Sequence, residues 1–244
     1  MALSLDGAEL RRAQVRLGPR LRTAQTLEAC GRAVCDVFHP GVLAEGTAAD
    51  ESRCALVRCF ATRIYAKLEP ALQQRCLQML RSDTPVVPDM PCFVLLASAG
   101  DRPEWCSRHT AGRHRVLPLP SEAALVRLPM VAELFRRFDV RLSDIRPDGG
   151  GLMTHAPHVF DMFLVENAID NPIVPDQDGF VRPFGIRSVL GFGCAGREGD
   201  LFVTLLFSKV PLGSDAARRA RALALDVAAG VFRIGPEAVF ESGQ

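Results

Sequence analysis

The stretch GIRSVLGFGCAGREGDLFVTLLFSK, residues 185–209, decides the fold. Two apolar runs of strand length flank a short polar turn, AGREG. That pattern predicts an antiparallel hairpin, set in the interior of a sheet of about five or six strands. Beyond it, Ser214 is placed to cap a helix running to about Phe232, which should lie on one face of that sheet.

Working upstream, HVFDMFLVENA predicts a further strand, and IDNPIVPDQDGFVRPFG, rich in Pro, Asp and Gly, predicts irregular chain. PDGGG marks a turn. SEAALVRLPMVAELFRRF has helical character at both ends and is interrupted at Pro129. CFVLLASAG reads as a buried strand between Pro91 and Gly100. Residues 67–81 space Leu68, Leu72, Cys76, Met79 and Leu80 as a helix, with Pro70 tolerated in its first turn. RCALVRCFATRIY alternates: Ala55, Val57, Cys59 and Ala61 share one small apolar face, and Leu56, Arg58, Phe60 and Thr62 share the other. Residues 23–38 place Leu27, Cys30, Val34, Val37 and Phe38 on one helical stripe. Residues 1–20 are Arg-rich and read as a loosely attached segment or short helix.

This order of elements predicts an α+β fold with a mostly antiparallel central sheet flanked by helices. The expected organisation is an N-terminal extension, 1–20, one domain, 21–235, and a C-terminal tail, 236–244. With 244 residues, 48% of them hydrophobic, the chain can bury one sizeable core. A net charge of +1 gives no global attraction to nucleic acid or to acidic membranes. No basic segment followed by an apolar run opens the sequence, and no apolar run is long enough to cross a bilayer. None of the eight cysteines forms a C-x-x-C pair. Most lie in apolar runs, so a reduced, cytoplasmic protein is expected.

Several segments together carry a resemblance. ESRCALVRCFAT, LLASAGDRPEWCSRH, LPLPSEAALVRLPMV, NPIVPDQDGFVRPFGIRSVLGFG and DLFVTLLFSKVPL resemble a GAF-like sensory region found ahead of bacterial sensor histidine kinases. The resemblance spans roughly residues 23–235 and implies a GAF-like fold and a signalling role. It implies no ligand and no binding residues. Only twelve residues follow Phe232, with no phosphoacceptor helix and no ATP-binding half. A stand-alone regulator or a sensory segment is therefore expected, with a histidine kinase or another signalling protein as partner.

The long polar connection DRPEWCSRHTAGRHRVLPLPSE holds the only tryptophan, Trp105. It reads as a pocket cover with Trp105 as an apolar wall, or as an ordinary solvated loop. Cys106 with His109 or His114 offers a thiolate nucleophile or a redox sensor. Neither the required proximity nor an oxyanion hole follows from spacing. Arg58 is awkward on an apolar strand face. It meets solvent, pairs with an acid such as Glu166, or lines a ligand pocket. Arg182 and Arg187, close to Phe180 and Phe184, supply guanidinium forks for an anion or simply a solvated rim. His155 and His158 have metal-ligand spacing, but Pro157 lies between them and no third ligand is placed. No metal, haem or other cofactor is expected. GFGCAG precedes a strand, so it cannot cradle phosphate at a helix start. The basic runs RRAQVRLGPRLR and ARRARALAL lack interleaved aromatics and read as solvated helix faces.

The closing helix is apolar on more than one side. Ala220, Leu223, Ala224, Val227, Ala228 and Val231 form one stripe, and Ala222, Leu225, Ala229 and Phe232 extend it. A helix on one sheet needs a single such face. The excess predicts a homodimer through residues 23–38 and 214–232, or cover by the N-terminal helix of the same chain. The function expected is a non-enzymatic domain that binds a small molecule or a partner protein and relays a shift of its terminal helices.

Overall fold

The computed structural model describes residues 7–39, 53–145, 158–196, 200–235 and 237–241. PDGGG, His155, most of the loop after Phe38 and part of the AGREG turn lie outside them.

The hairpin forms as expected. β6 (Ser188–Ala195) and β7 (Leu201–Ser208) pair antiparallel, from Ser188 opposite Ser208 to Ala195 opposite Leu201. β7 continues onto β1 (Cys54–Ile64), which pairs with β2 (Pro91–Gly100), and β2 pairs with the short edge strand β3 (Val116–Pro118). On the far side, β4 (His158–Val159) and β5 (Phe163–Val165) both pair with β6. The order is β3-β2-β1-β7-β6, closed by this interrupted edge strand, and every pairing is antiparallel. The fold is α+β, with a mostly antiparallel central sheet flanked by helices as expected.

One face carries three helices: α1 (Gly7–Thr23), α2 (Leu27–Phe38) and α6 (Ser214–Phe232). The small face of β1 explains how closely α2 approaches. A Cβ on Gly31 would sit 3.1 Å from the Cβ atoms of Cys59 and Ala97, so a larger residue would push the helix and sheet apart by a few tenths of an ångström. Ala55 departs from the simple alternation: a register irregularity between Cys54 and Leu56 moves it into the opposite core. α6 buries Leu223, Ala224, Val227, Ala228 and Val231 on this side. Its N-cap is Gly213, not Ser214, whose hydroxyl instead meets the Arg218 guanidinium.

The N-terminal segment is no loose extension. Ala13, Leu17 and Leu21 of α1 enter the same core as α2 and α6. Arg233 donates to the carbonyls of Leu21 and Arg22, satisfying the open C-terminal end of α1. The helix expected over residues 23–38 forms as α2 but starts at Leu27. α1 stops at Thr23, and Thr26 caps α2 by accepting from the Ala29 N–H at 3.0 Å. The tail is docked as well: the N–H groups of Leu27 and Glu28 donate to the carbonyls of Ala238 and Val239.

The opposite face is covered by α4 (Glu122–Leu125), α5 (Pro129–Arg137) and irregular chain. Pro129 opens α5, as its position predicts. Phe93, Phe135, Phe138 and Phe163 fill this second core. α3 (Pro70–Met79) closes a smaller core over the outer strands with Leu72 and Cys76. Among the described residues, no helix is long and apolar enough to cross a membrane.

Candidate ligand site

β1 is buried along its whole length, so each of its polar side chains needs a partner inside the protein. Thr62 accepts from the Leu201 N–H at 2.8 Å. Arg63 pairs with Asp200. Arg58 is the exception. It is 7% exposed, on the sheet face away from the three helices, and its Nε donates to Ser98 Oγ at 3.5 Å. Among the described residues no carboxylate pairs with it. Desolvation by burial draws the guanidinium down to about 10, which leaves it charged at neutral pH.

Ser98 faces Arg58 from the neighbouring strand and donates its hydroxyl proton to the Trp105 carbonyl at 2.6 Å. Arg58 and Trp105 are thereby joined through one hydroxyl. The connection between β2 and β3 runs past the open edge of β2 and brings Trp105 over this face. Its indole meets Phe184 at 4.5 Å and Phe180 at 5.4 Å between ring centroids, and Phe180 meets Phe207 of β7 at 5.1 Å. The same connection forms two short turns, Pro103–Trp105 and Gly112–Arg115, before β3.

Phe180 and Phe184 are held by a turn at Gln177–Val181 with wide i→i+5 bonding, a device that recurs at functional sites. Asp176 starts it in the left-handed region, at φ 59°, and accepts from the Gly179 N–H. The Gln177 amide donates to the carbonyls of Ala168, Asn171 and Val174, tying the preceding loop to this turn.

The other residues singled out from sequence fall elsewhere. Glu166 is exposed at the end of β5, with β6 and β7 between it and β1, so it does not pair with Arg58. Arg182 is exposed and paired with Asp170 and Asp178; Arg187 is exposed at the start of the hairpin. Both belong to a solvated rim. His109 is exposed, and His114 lies in the Gly112–Arg115 turn. Cys106 is exposed and donates to the carbonyls of Gly100 and Arg102, which does not make a thiol–imidazole pair with His109. The thiol whose pKa is lowered is Cys76, through its hydrogen bond with Cys92, and it is buried. Among the described residues, no group of three or more His, Cys, Asp or Glu side chains converges on a metal position.

Sequence reading missed Ser98, Phe207 and the pair Arg108–Glu28. Arg108, three residues past Trp105, reaches the helical side of the molecule. Its Nε donates to Glu28 in the first turn of α2 at 3.2 Å, and its guanidinium lies 4.0 Å over the Phe240 ring of the tail. Both partners of the ion pair have side chains 10% exposed. Glu28 accepts further from the Glu241 N–H.

No family model matches the chain, and no curated protein matches its sequence. Among solved structures it is similar to the N-acylhomoserine lactone-dependent LuxR-family transcriptional factor CepR2 from Burkholderia cenocepacia. The identity is 19%, over 93% of this chain and 95% of that one, with a TM-score of 0.43. It is also similar to the phycocyanobilin-bound GAF domain of a cyanobacterial phytochrome, at 10% identity over 92% and 94% of the two chains, TM-score 0.41. A phycoerythrobilin-bound GAF domain of a cyanobacterial phytochrome follows at 11% identity, 94% and 96%, TM-score 0.36. Likenesses this distant carry nothing about a ligand, and the site rests on its own geometry.

Proposed function

We propose that this chain is a non-enzymatic, cytoplasmic sensory domain that binds a small molecule between the sheet and the 101–115 connection, with no resident cofactor. The observation that carries the reading is Arg58: a buried cation with no acidic partner among the described residues, linked through Ser98 to the main chain of Trp105, whose indole packs with Phe180 and Phe184. A buried charge without a counter-charge is costly to the fold, and an incoming ligand would supply what the chain does not.

The 101–115 connection offers a route outward. Trp105 touches the site, while Arg108 grips α2 and the tail through Glu28 and Phe240. A ligand that moves Trp105 would shift Arg108 and with it the terminal helices, a two-state change biased by differential binding. The receiver would be a second copy of this chain, and beyond it a histidine kinase or another signalling protein. The thiol-based alternative has less support, because the Cys106 thiol is turned to two main-chain carbonyls.

Trp105 is the only indole, so its emission reports on this site alone. Fractions of a small-molecule extract from the source cells should include one that shifts the emission maximum saturably. If no fraction moves it, the ligand-site reading is wrong.

A further inference from the structure

We infer that the site takes a carboxylate, borne by a small organic acid with a flat, apolar body. This assignment rests on the ligand-site reading above and concerns the chemistry of what is bound. The hydrogen-bond directions around Ser98 come first. Its single proton goes to the Trp105 carbonyl, so its oxygen accepts from Arg58 Nε. That leaves the two terminal nitrogens of the guanidinium, a planar end-on fork that matches the two oxygens of a carboxylate.

Charge count comes second. Among the described residues Arg58 has no acid, whereas Arg63, Arg102, Arg108 and Lys209 are each paired, with Asp200, Glu104, Glu28 and Asp101. One unbalanced positive charge suits a monoanion. A phosphate dianion would bring a second negative charge that the single buried guanidinium does not balance. The body of the ligand follows from the neighbourhood of Trp105. Trp105, Phe180, Phe184 and Phe207 pack against one another, an apolar aromatic surface that would favour a planar or compact apolar group.

The test uses the full chain and matched probes: phenylacetate, benzoate and hexanoate against their primary amides, read by saturation-transfer NMR and by melting temperature. The acids should bind and raise the melting temperature, and the amides should bind at least tenfold more weakly. Arg58→Met should remove the preference for acids. Arg58→Lys, which keeps the charge and loses the fork, should retain part of it and guards against misreading a folding defect. Amides that bind as well as acids, or acid binding untouched in Arg58→Met, overturn the assignment. If an extract fraction moves Trp105 and its active component is uncharged, the carboxylate assignment falls and the ligand site stands. If neither probe series binds and no fraction moves Trp105, the ligand site itself falls.

Discussion

Arg58 and Arg63 sit five positions apart on one buried strand and are treated differently by the fold. Arg63 is 6% exposed and has Asp200; Arg58 is 7% exposed and has only the hydroxyl of Ser98. Lowering the Arg58 guanidinium to about 10 corresponds to about 3 kcal/mol against its charged form. The sign follows from the direction. A base depressed in the folded state costs stability at every pH below its folded value, and the cost is relieved only as pH rises through about 10. At neutral pH the cost is therefore fully present. The oddity of Arg58 was legible in sequence, because a charge between Leu56 and Phe60 breaks the strand's pattern. Its lack of an acid was not, since Glu166 becomes remote only once β6 and β7 are seen to intervene. Ser98 was equally hidden: a serine in an apolar strand gains meaning only from the arginine paired across from it.

The 101–115 connection is the element on which the proposed relay depends, and Arg108 is its anchor. Replacing Arg108 by Met would leave Glu28 largely buried, with the Glu241 N–H as its remaining hydrogen-bond donor from the tail. The expected result is a loss of about 2–3 kcal/mol in chemical denaturation. Trp105 should still respond to ligand, while protection of the α2 amides from hydrogen exchange should no longer change on binding. Unchanged stability, or an intact α2 response, would remove Arg108 from the route. The elements that sequence placed well are those with a sustained period: β1, β2, the hairpin and α6. β3 escaped because it is three residues long and ends in Pro118. α1 reads from sequence only as a loosely attached segment or short helix because its buried stripe, Ala13, Leu17 and Leu21, is one residue per turn among arginines, too narrow to show that it docks into the core.

At the scale of the whole molecule, the helical layer sets the options for assembly. α2 is covered by the sheet, α1 and the tail, and Arg32 is its single exposed residue, so it offers no apolar face to a partner. α1 lies beside α6, with Gln14 donating to Asp226 and Leu21 packed at Gly230, yet Leu225 stays 50% exposed. Covering a side chain of this kind fully is worth roughly 1.5–3 kcal/mol. A homodimer through α6 would recover part of that for each copy. Wild type should sediment as a dimer, and Leu225→Glu should give a monomer with unchanged circular dichroism. A wild type that is monomeric at high micromolar concentration contradicts this assembly.

Whether Arg58 serves the fold or a ligand is decided by the melting temperature of the ligand-free Arg58→Met protein compared with ligand-free wild type. Met keeps the apolar stem and removes the uncompensated charge. If the arginine is kept for a ligand, the variant should gain about 1–3 kcal/mol, several degrees for a chain of this size. A melting temperature lowered by several degrees would show that Arg58 holds the sheet together on its own account, and would contradict the ligand site.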